Sequence, residues 1–300
     1  MEFNVFTEEL CDLVGENMGN GYEVTSRTVT KNNGVILTGI MAKKSGRNIY
    51  PTLYINDMYD KDLSGEDMQR IALRISENLK NASIPPTQML DDLFEFDKIK
   101  DKIAFKLINT RRNTKLLNDI PHRDFLNLSV VYYIDLEDAA TGEGCKATLM
   151  IQDRFLKQWD ISEETLYEVA VSNMQRNLPD KIMTMKEILE ERFNHMTDMD
   201  IGMYVLSNIS NMYGASAMLY GSGIKQLSED LNRNLYILPS SVHELIILPQ
   251  DENTDAASLL EIVSQVNEFE VSDEEILADS VYLYDRDSDS VRMVLEKDEN

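Results

Sequence analysis

Residues 22–42, YEVTSRTVTKNNGVILTGIMA, decide how the chain is read. Val, Ile, Thr and Tyr fill both halves of the stretch, and such residues suit a pleated, half-buried surface. Between them stands Asn32-Asn33-Gly34, and Asn-Gly readily takes the positive φ angles of a two-residue hairpin. The pattern predicts two antiparallel strands over 22–31 and 35–42.

Working outward, Phe6, Leu10, Leu13, Val14 and Met18 recur at helical spacing. They predict a helix over 3–18, capped at Thr7 or earlier, with Glu8 and Glu9 in the first turn against the positive end of the helix dipole. A third strand is expected over 49–56. Ser64 opens a further helix to about residue 81, with Met68, Ile71, Ile75 and Leu79 inward and Glu66 one turn before Arg70. This first stretch reads α-β-β-β-α.

Pro85-Pro86 closes it, and 87–96 reads as a short acidic helix leading into a basic belt that ends at Pro121. A hairpin is expected over 125–152 and a helix over 162–178 with Glu163 and Glu164 in its first turn. Helices over 185–194, 224–232 and 254–266 alternate with strands over 203–207, 236–238 and 245–248. Ser272 and Glu275 have capping-box spacing, and 280–284 pairs with 291–295 as a last hairpin. Recurring hairpins among helices give an α+β fold with mainly antiparallel sheets and packed helices. A chain of 300 residues exceeds the size at which one core keeps growing, so two subdomains are expected. Their bounds are 1–84 and 125–300, with 85–124 as a basic connecting segment.

Charge is unevenly divided. The net charge is -24, yet residues 98–123 carry eight Lys or Arg against two Asp, a local +6, while 251–300 carry sixteen Asp or Glu against three Lys or Arg, a local -13. The overall field repels a phosphate backbone, which disfavours nucleic acid as a partner. The first twenty residues are acidic and no apolar run approaches membrane-spanning length, so a cytoplasmic protein with no membrane contact is expected. Two cysteines and three widely spaced histidines build neither a disulfide framework nor a zinc site. Cys11 and Cys145 each fall in an apolar pattern and are expected in cores.

Within the belt, Arg111, Arg112 and Arg123 are the groups suited to grip a phosphate or carboxylate at two points, with His122 beside them. The string Asp285-x-Asp287-x-Asp289 with Glu296 has the carboxylate spacing of a calcium loop. Ser290 stands where the sharp turn needs Gly, and the flanks read as strands, so a polar hairpin tip is expected. Asp60-x-Asp62-x-Ser64 lacks the closing carboxylate and reads as a helix cap. Ser240, Ser241, His243 and Glu244 follow Pro239 without a Gly-x-Ser-x-Gly nucleophile elbow. Gly214, Gly221 and Gly223 have neither Walker nor dinucleotide spacing and are expected to end or link helices. No cofactor is called for by any of these patterns.

Leu107-Ile108-Asn109, Arg112-Asn113, Leu116-Leu117, Pro121-His122, the strand over 128–133 and the run 238–244 before Ile246 together resemble an uncharacterised family of bacterial cytoplasmic proteins of about 300 residues, a domain of unknown function. The resemblance covers most of the chain. Residues 159–179 are also similar to a segment of a second uncharacterised bacterial family. Neither resemblance implies an activity, cofactor or catalytic residue.

The leading expectation is a non-enzymatic binding or regulatory module. Its belt and the turn over 239–244 would hold an anionic ligand or an acidic protein partner, through Arg111, Arg112, His122, Arg123, His243 and Glu244. The competing expectation is a hydrolase or transferase for a phosphorylated or acyl substrate, with His122 or His243 as acid-base group and the arginines as clamp. It requires those residues to meet in one pocket.

Overall fold

The computed structural model describes residues 1–44, 50–82, 91–136, 147–193 and 202–297. The chain divides into two units, Met1–Asp91 with Leu136–Ala147, and Asp92–Asp135 with Thr148–Asn300. The fold is α+β, and every pairing in its three sheets is antiparallel among the described residues.

In the first unit, α1 (Phe3–Met18) leads into β1 (Tyr22–Thr30), β2 (Ile36–Lys44), β3 (Thr52–Tyr54) and α2 (Gly65–Asn81). The strands form a sheet in the order β1-β2-β3. The turn is one residue longer than the two-residue hairpin expected: Thr30 pairs with Ile36, three residues lie between Lys31 and Val35, and Asn33 and Gly34 both take positive φ (58° and 73°). Left-handed backbone at the end of a three-residue loop matches the twist of the strands it joins. Phe6, Leu10, Val14 and Met18 of α1 pack with Met68, Ala72, Ile75 and Leu79 of α2 over Ile40 and Ala42. Each such side chain contributes about 1.5–3 kcal/mol by leaving water.

Two local expectations change. α1 starts at Phe3, so Thr7 lies inside it and its hydroxyl donates to the Phe3 carbonyl (2.9 Å) instead of capping. In α2, Ser64 and Asp67 form a reciprocal capping box, and Arg70 pairs with Asp67, not Glu66. Cys11 is partly buried against this core, and burial raises its thiol pKa. Cys145 lies outside the described residues, as do the turn over 141–144 and the first four residues of the expected helix over 87–96; of the remainder, 91–92 are helical and 93–94 form a turn before the next helix starts at Phe96.

The second unit begins inside the segment read as a connector. After α3 (Phe96–Ile99), β4 (Ile103–Asn109) pairs along its whole length with β6 (Leu128–Asp135). Between them come α4 (Thr114–Leu117) and β5 (His122–Phe125). β5 and β7 (Thr148–Met150) share the other edge of β6, because β4 occupies the first. Six of the seven residues of β4 are buried; a strand covered on both faces shows no period-2 alternation, which hides it from pattern reading.

Then follow α5 (Asp153–Trp159), α6 (Glu163–Asn177), β8 (Asp180–Thr184), α7 (Met185–Phe193), β9 (Tyr204–Asn208), α8 (Ala217–Tyr220), α9 (Gly223–Leu231), β10 (Leu235–Leu238), β11 (Leu245–Pro249), α10 (Ala256–Phe269), β12 (Ser280–Asp285) and β13 (Ser290–Glu296). A six-stranded sheet runs β13-β12-β10-β11-β9-β8. Leu259 and Val263 of α10 pack on Tyr236, Leu238, Val281 and Leu283, with Ile246 alongside. Ser272 and Glu275 make a turn joined by the Glu275 N–H and Ser272 carbonyl, with no helix following. Among the described residues no helix is long and apolar enough to cross a membrane.

Candidate functional site

The belt's arginines face the protein's own carboxylates. Arg112 lies 2.8 Å from Asp279, with side chains 25% and 13% exposed. Arg123 donates through Nε and Nη2 to Glu163 (3.3 and 3.0 Å), pairs with Glu164, and stacks on the Tyr167 ring at 4.0 Å. These bonds hold its guanidinium pKa above the ordinary value, and burial with the Glu163 bond raises the Tyr132 hydroxyl. Arg111 is exposed and 3.7 Å from Glu296. Lys98 pairs with Asp92 and Glu95, and Lys100 with Asp97. His122 is exposed on β5 with Nδ1 3.0 Å from the Ile120 carbonyl.

The turn over 239–244 has a different setting. Leu277 N–H donates to the Ser240 carbonyl, Ala278 N–H to that of Pro239, and Val242 N–H to that of Glu275. On the other side Ser207 Oγ donates to the His243 carbonyl (2.8 Å), and Ala215 N–H to that of Val242 (3.3 Å). Gly214 permits this approach: a Cβ there would sit 2.0 Å from Ser207 Oγ and 2.6 Å from the His243 carbonyl oxygen. This glycine fits a close backbone crossing, not the helix-linking role expected of it. Gly221 and Gly223 do end and open helices, as expected, and they also make room for Asp180, whose carboxylate accepts the Gly223 N–H (2.7 Å) at the start of α9.

Strand register builds a cleft on this turn. Lys181 lies opposite Ser207 and Met183 opposite Val205 across β8 and β9, so all four point to one face. Val205 lies opposite Ile246, which packs on the α10 side, so the cleft shares the face that α10 covers farther along the sheet. Lys181, Met183, Ile188, Val205, Ser207, Asn211, Ser241, His243 and Glu244 line a space of about 340 Å³. His243 and Glu244 thus come together with Lys181, whereas Arg111, Arg112, His122 and Arg123 are not among the lining residues. Lys181 and Met183 also border a shallower depression of about 540 Å³ with Glu187 and Glu190.

His243 is held through Nδ1. The Tyr213 N–H donates to Nδ1 (3.1 Å), which makes Nδ1 an acceptor and leaves the proton on Nε2, 3.4 Å from Glu275. The ring stacks on Tyr213 with centroids 5.5 Å apart at 12°, and the Lys106 ammonium lies 4.3 Å from the Tyr213 centroid. With its Nδ1 lone pair taken by the Tyr213 N–H, the ring offers no free acceptor to Ser207 or Ser241. The Ser241 hydroxyl oxygen already accepts the His243 N–H (3.1 Å). Geometry therefore supplies a positioned imidazole and not an activated nucleophile.

The acidic string at the β12–β13 tip is consumed internally. Asp285 accepts the N–H groups of Asp287 and Ser288 (both 3.0 Å), and Asp289 takes the Tyr284 hydroxyl (2.7 Å) and the Lys225 ammonium (2.5 Å). Glu296 accepts from Asn127 Nδ2 at 2.9 Å. Among the described residues no group of three or more His, Cys, Asp or Glu is placed to hold a metal ion.

Lys181, Ser207 and Asn211 escaped sequence reasoning, as did the Lys106–Tyr213–His243 column. The usable signal was Ser207 and Asn211 at the C-terminal end of a short apolar strand that precedes a glycine at 214.

No curated protein and no solved structure matches this chain. A family model matches residues 3–286, nearly the whole chain and both units. On that match the chain belongs to DUF5688, a family of unknown function.

Proposed function

We propose that this chain is a non-enzymatic binding module whose ligand enters the cleft beside the turn over 239–244 and presents a carboxylate or phosphate to Lys181. The single observation that carries this reading is the contrast between cations. Arg112 and Arg123 are taken by native carboxylates at 2.8–3.0 Å, while Lys181 lines a 340 Å³ cleft with no carboxylate within 4.0 Å among the described residues, Glu187 acting on it only from farther off. The volume falls at the small end of ligand sites, which suits a small molecule better than a folded partner. Asn211 and Ser241 add hydrogen-bonding groups, and Met183, Ile188 and Val205 add an apolar wall. Hydrogen bonds from Ser207, Ala215 and Val242 hold the turn in place before any ligand arrives, which lowers the ordering cost of binding.

The reading keeps the anionic ligand expected from the sequence and moves the cation that grips it from the arginines to Lys181. The test is a thermal-shift screen of acetate, isovalerate, succinate and inorganic phosphate, since a ligand selective for the folded state raises Tm. At least one should raise the Tm of the wild type and of Arg111→Gln but not of Lys181→Gln. A response kept by Lys181→Gln, lost in Arg111→Gln, or absent throughout contradicts the reading.

A further inference from the structure

The cleft carries one cation and one anion. Lys181 faces Ser207 across β8 and β9. Glu244 immediately precedes β11, whose first residue Leu245 faces Leu206, so extending that register by one residue sets it beside Ser207. Adjacent strands lie about 4.8 Å apart, which puts the Lys181 and Glu244 Cα atoms about 10 Å from one another with the Ser207 row between. Both side chains are exposed and both line the cleft, yet no ion pair joins them. A pair of opposite charges held apart across a small cavity is complementary to a ligand that carries the reverse pair.

A second line of argument is the field. A purely anionic ligand still pairs with Lys181, but it approaches a molecule of net charge -24 and lies beside Glu244, so repulsion weakens its binding without removing it. A zwitterion has no net charge to be repelled, and its ammonium turns Glu244 from an opponent into a partner. Between the two charged ends, the Ser207 hydroxyl is committed to the His243 carbonyl, whereas the Asn211 amide lines the space and has no side-chain partner among the described residues. Met183, Ile188 and Val205 form an apolar wall beside this row, where a hydrocarbon side chain is favoured over another polar group.

Resting on the cleft as the ligand site, we infer that the ligand is a zwitterion with an apolar body, of the class of free α-amino acids such as leucine or methionine. Its carboxylate meets Lys181, its ammonium meets Glu244, and its side chain lies against Met183, Ile188 and Val205. His243, held by the Tyr213 N–H and stacked on the Tyr213 ring, forms a fixed wall of the site.

Calorimetric titration of the full chain with L-leucine, L-methionine, N-acetyl-L-leucine and L-leucinamide tests this. Leucine or methionine should bind at least tenfold more tightly than the two derivatives, each of which lacks one charge. Glu244→Gln should lose at least tenfold toward the amino acid while binding N-acetyl-L-leucine no more weakly than the wild type, and Lys181→Gln should lose both. If N-acetyl-L-leucine binds the wild type as tightly as leucine and only Lys181→Gln abolishes it, the zwitterion inference is overturned and the anion site stands. If neither amino acid binds the wild type, the inference is likewise overturned, and the carboxylate and phosphate screen decides the broader reading by itself.

Discussion

Arg112 Nη2 lies 2.8 Å from Asp279 Oδ2, and the same carboxylate's Oδ1 accepts from Asn267 Nδ2 at the same distance. The backbone N–H of Arg112 also donates to Asn109 Oδ1, and Asn109 Nδ2 donates to the Leu277 carbonyl. The most basic stretch of the chain is thereby tied into the segment that supports the turn over 239–244. Its charge serves cohesion within the second unit.

Removing one partner of a largely buried pair leaves the other charge uncompensated. Arg112→Ala should cost about 2–4 kcal/mol in urea unfolding, whereas Arg111→Ala, at an exposed site 3.7 Å from Glu296, should cost under about 1 kcal/mol. Equal losses would show that Arg112 is not anchored as described.

Gly214 tolerates no side chain without backbone movement, since a Cβ would meet Ser207 Oγ, the His243 carbonyl and the Asn208 N–H within 2.8 Å. Gly214→Ala should destabilise the second unit by about 1–3 kcal/mol and displace the cleft wall. Crystal structures or amide exchange of the variant should show the change at residues 207–215 and 241–244. An unchanged midpoint and pattern would contradict the close crossing.

Burial raises the Tyr220 hydroxyl to about 12 from the ordinary 10.0, and that hydroxyl donates to the Leu178 carbonyl (2.7 Å). As pH rises past 10, the unfolded chain releases this proton while the folded chain keeps it, so stability is full below about 10 and falls as pH rises toward 12. Tyr132, Tyr282 and Tyr284 are shifted in the same direction. Urea midpoints should decline above pH 10, and Tyr220→Phe should flatten part of that decline while lowering the midpoint at neutral pH. A flat alkaline limb in the wild type would contradict the assignment.

In the first unit, hydrogen bonds from the Ser64 hydroxyl and N–H, with a smaller contribution from Arg70, lower the Asp67 carboxyl to about 2 from the ordinary 3.8. The stabilisation is present above about 3.8 and is lost as pH falls through about 2. Asp67→Asn should lower stability at neutral pH and reduce the acid sensitivity of this unit. Amide exchange in α2 at pH 7 and pH 3 measures both; a variant indistinguishable from the wild type at both would contradict the capping box.

The first unit was legible because its helices obey 3.6-residue periodicity and Asn33-Gly34 supplies the left-handed turn. β4 was not, because a strand buried on both faces with Lys106 at its centre reads as part of a charged belt. β8 was missed as well: five residues of mixed polarity carry no period. At the site, His243 and Glu244 were visible as polar residues on a turn closed by Pro239. Their companions Lys181 and Ser207 were invisible because pairing register, not sequence proximity, sets them side by side. The arginines stood out in sequence because charge density reports composition, whereas their carboxylate partners at 163, 164 and 279 are distant in sequence and so were not visible.

The location of the ligand is the claim on which the account turns. Amide signals of isotopically labelled full-length protein, followed while isovalerate and then L-leucine are added, test it most directly. Shifts should cluster at residues 181–183, 205–211 and 241–244 and leave 111–125 unmoved; shifts centred on 111–125, or none in the cleft, would contradict it.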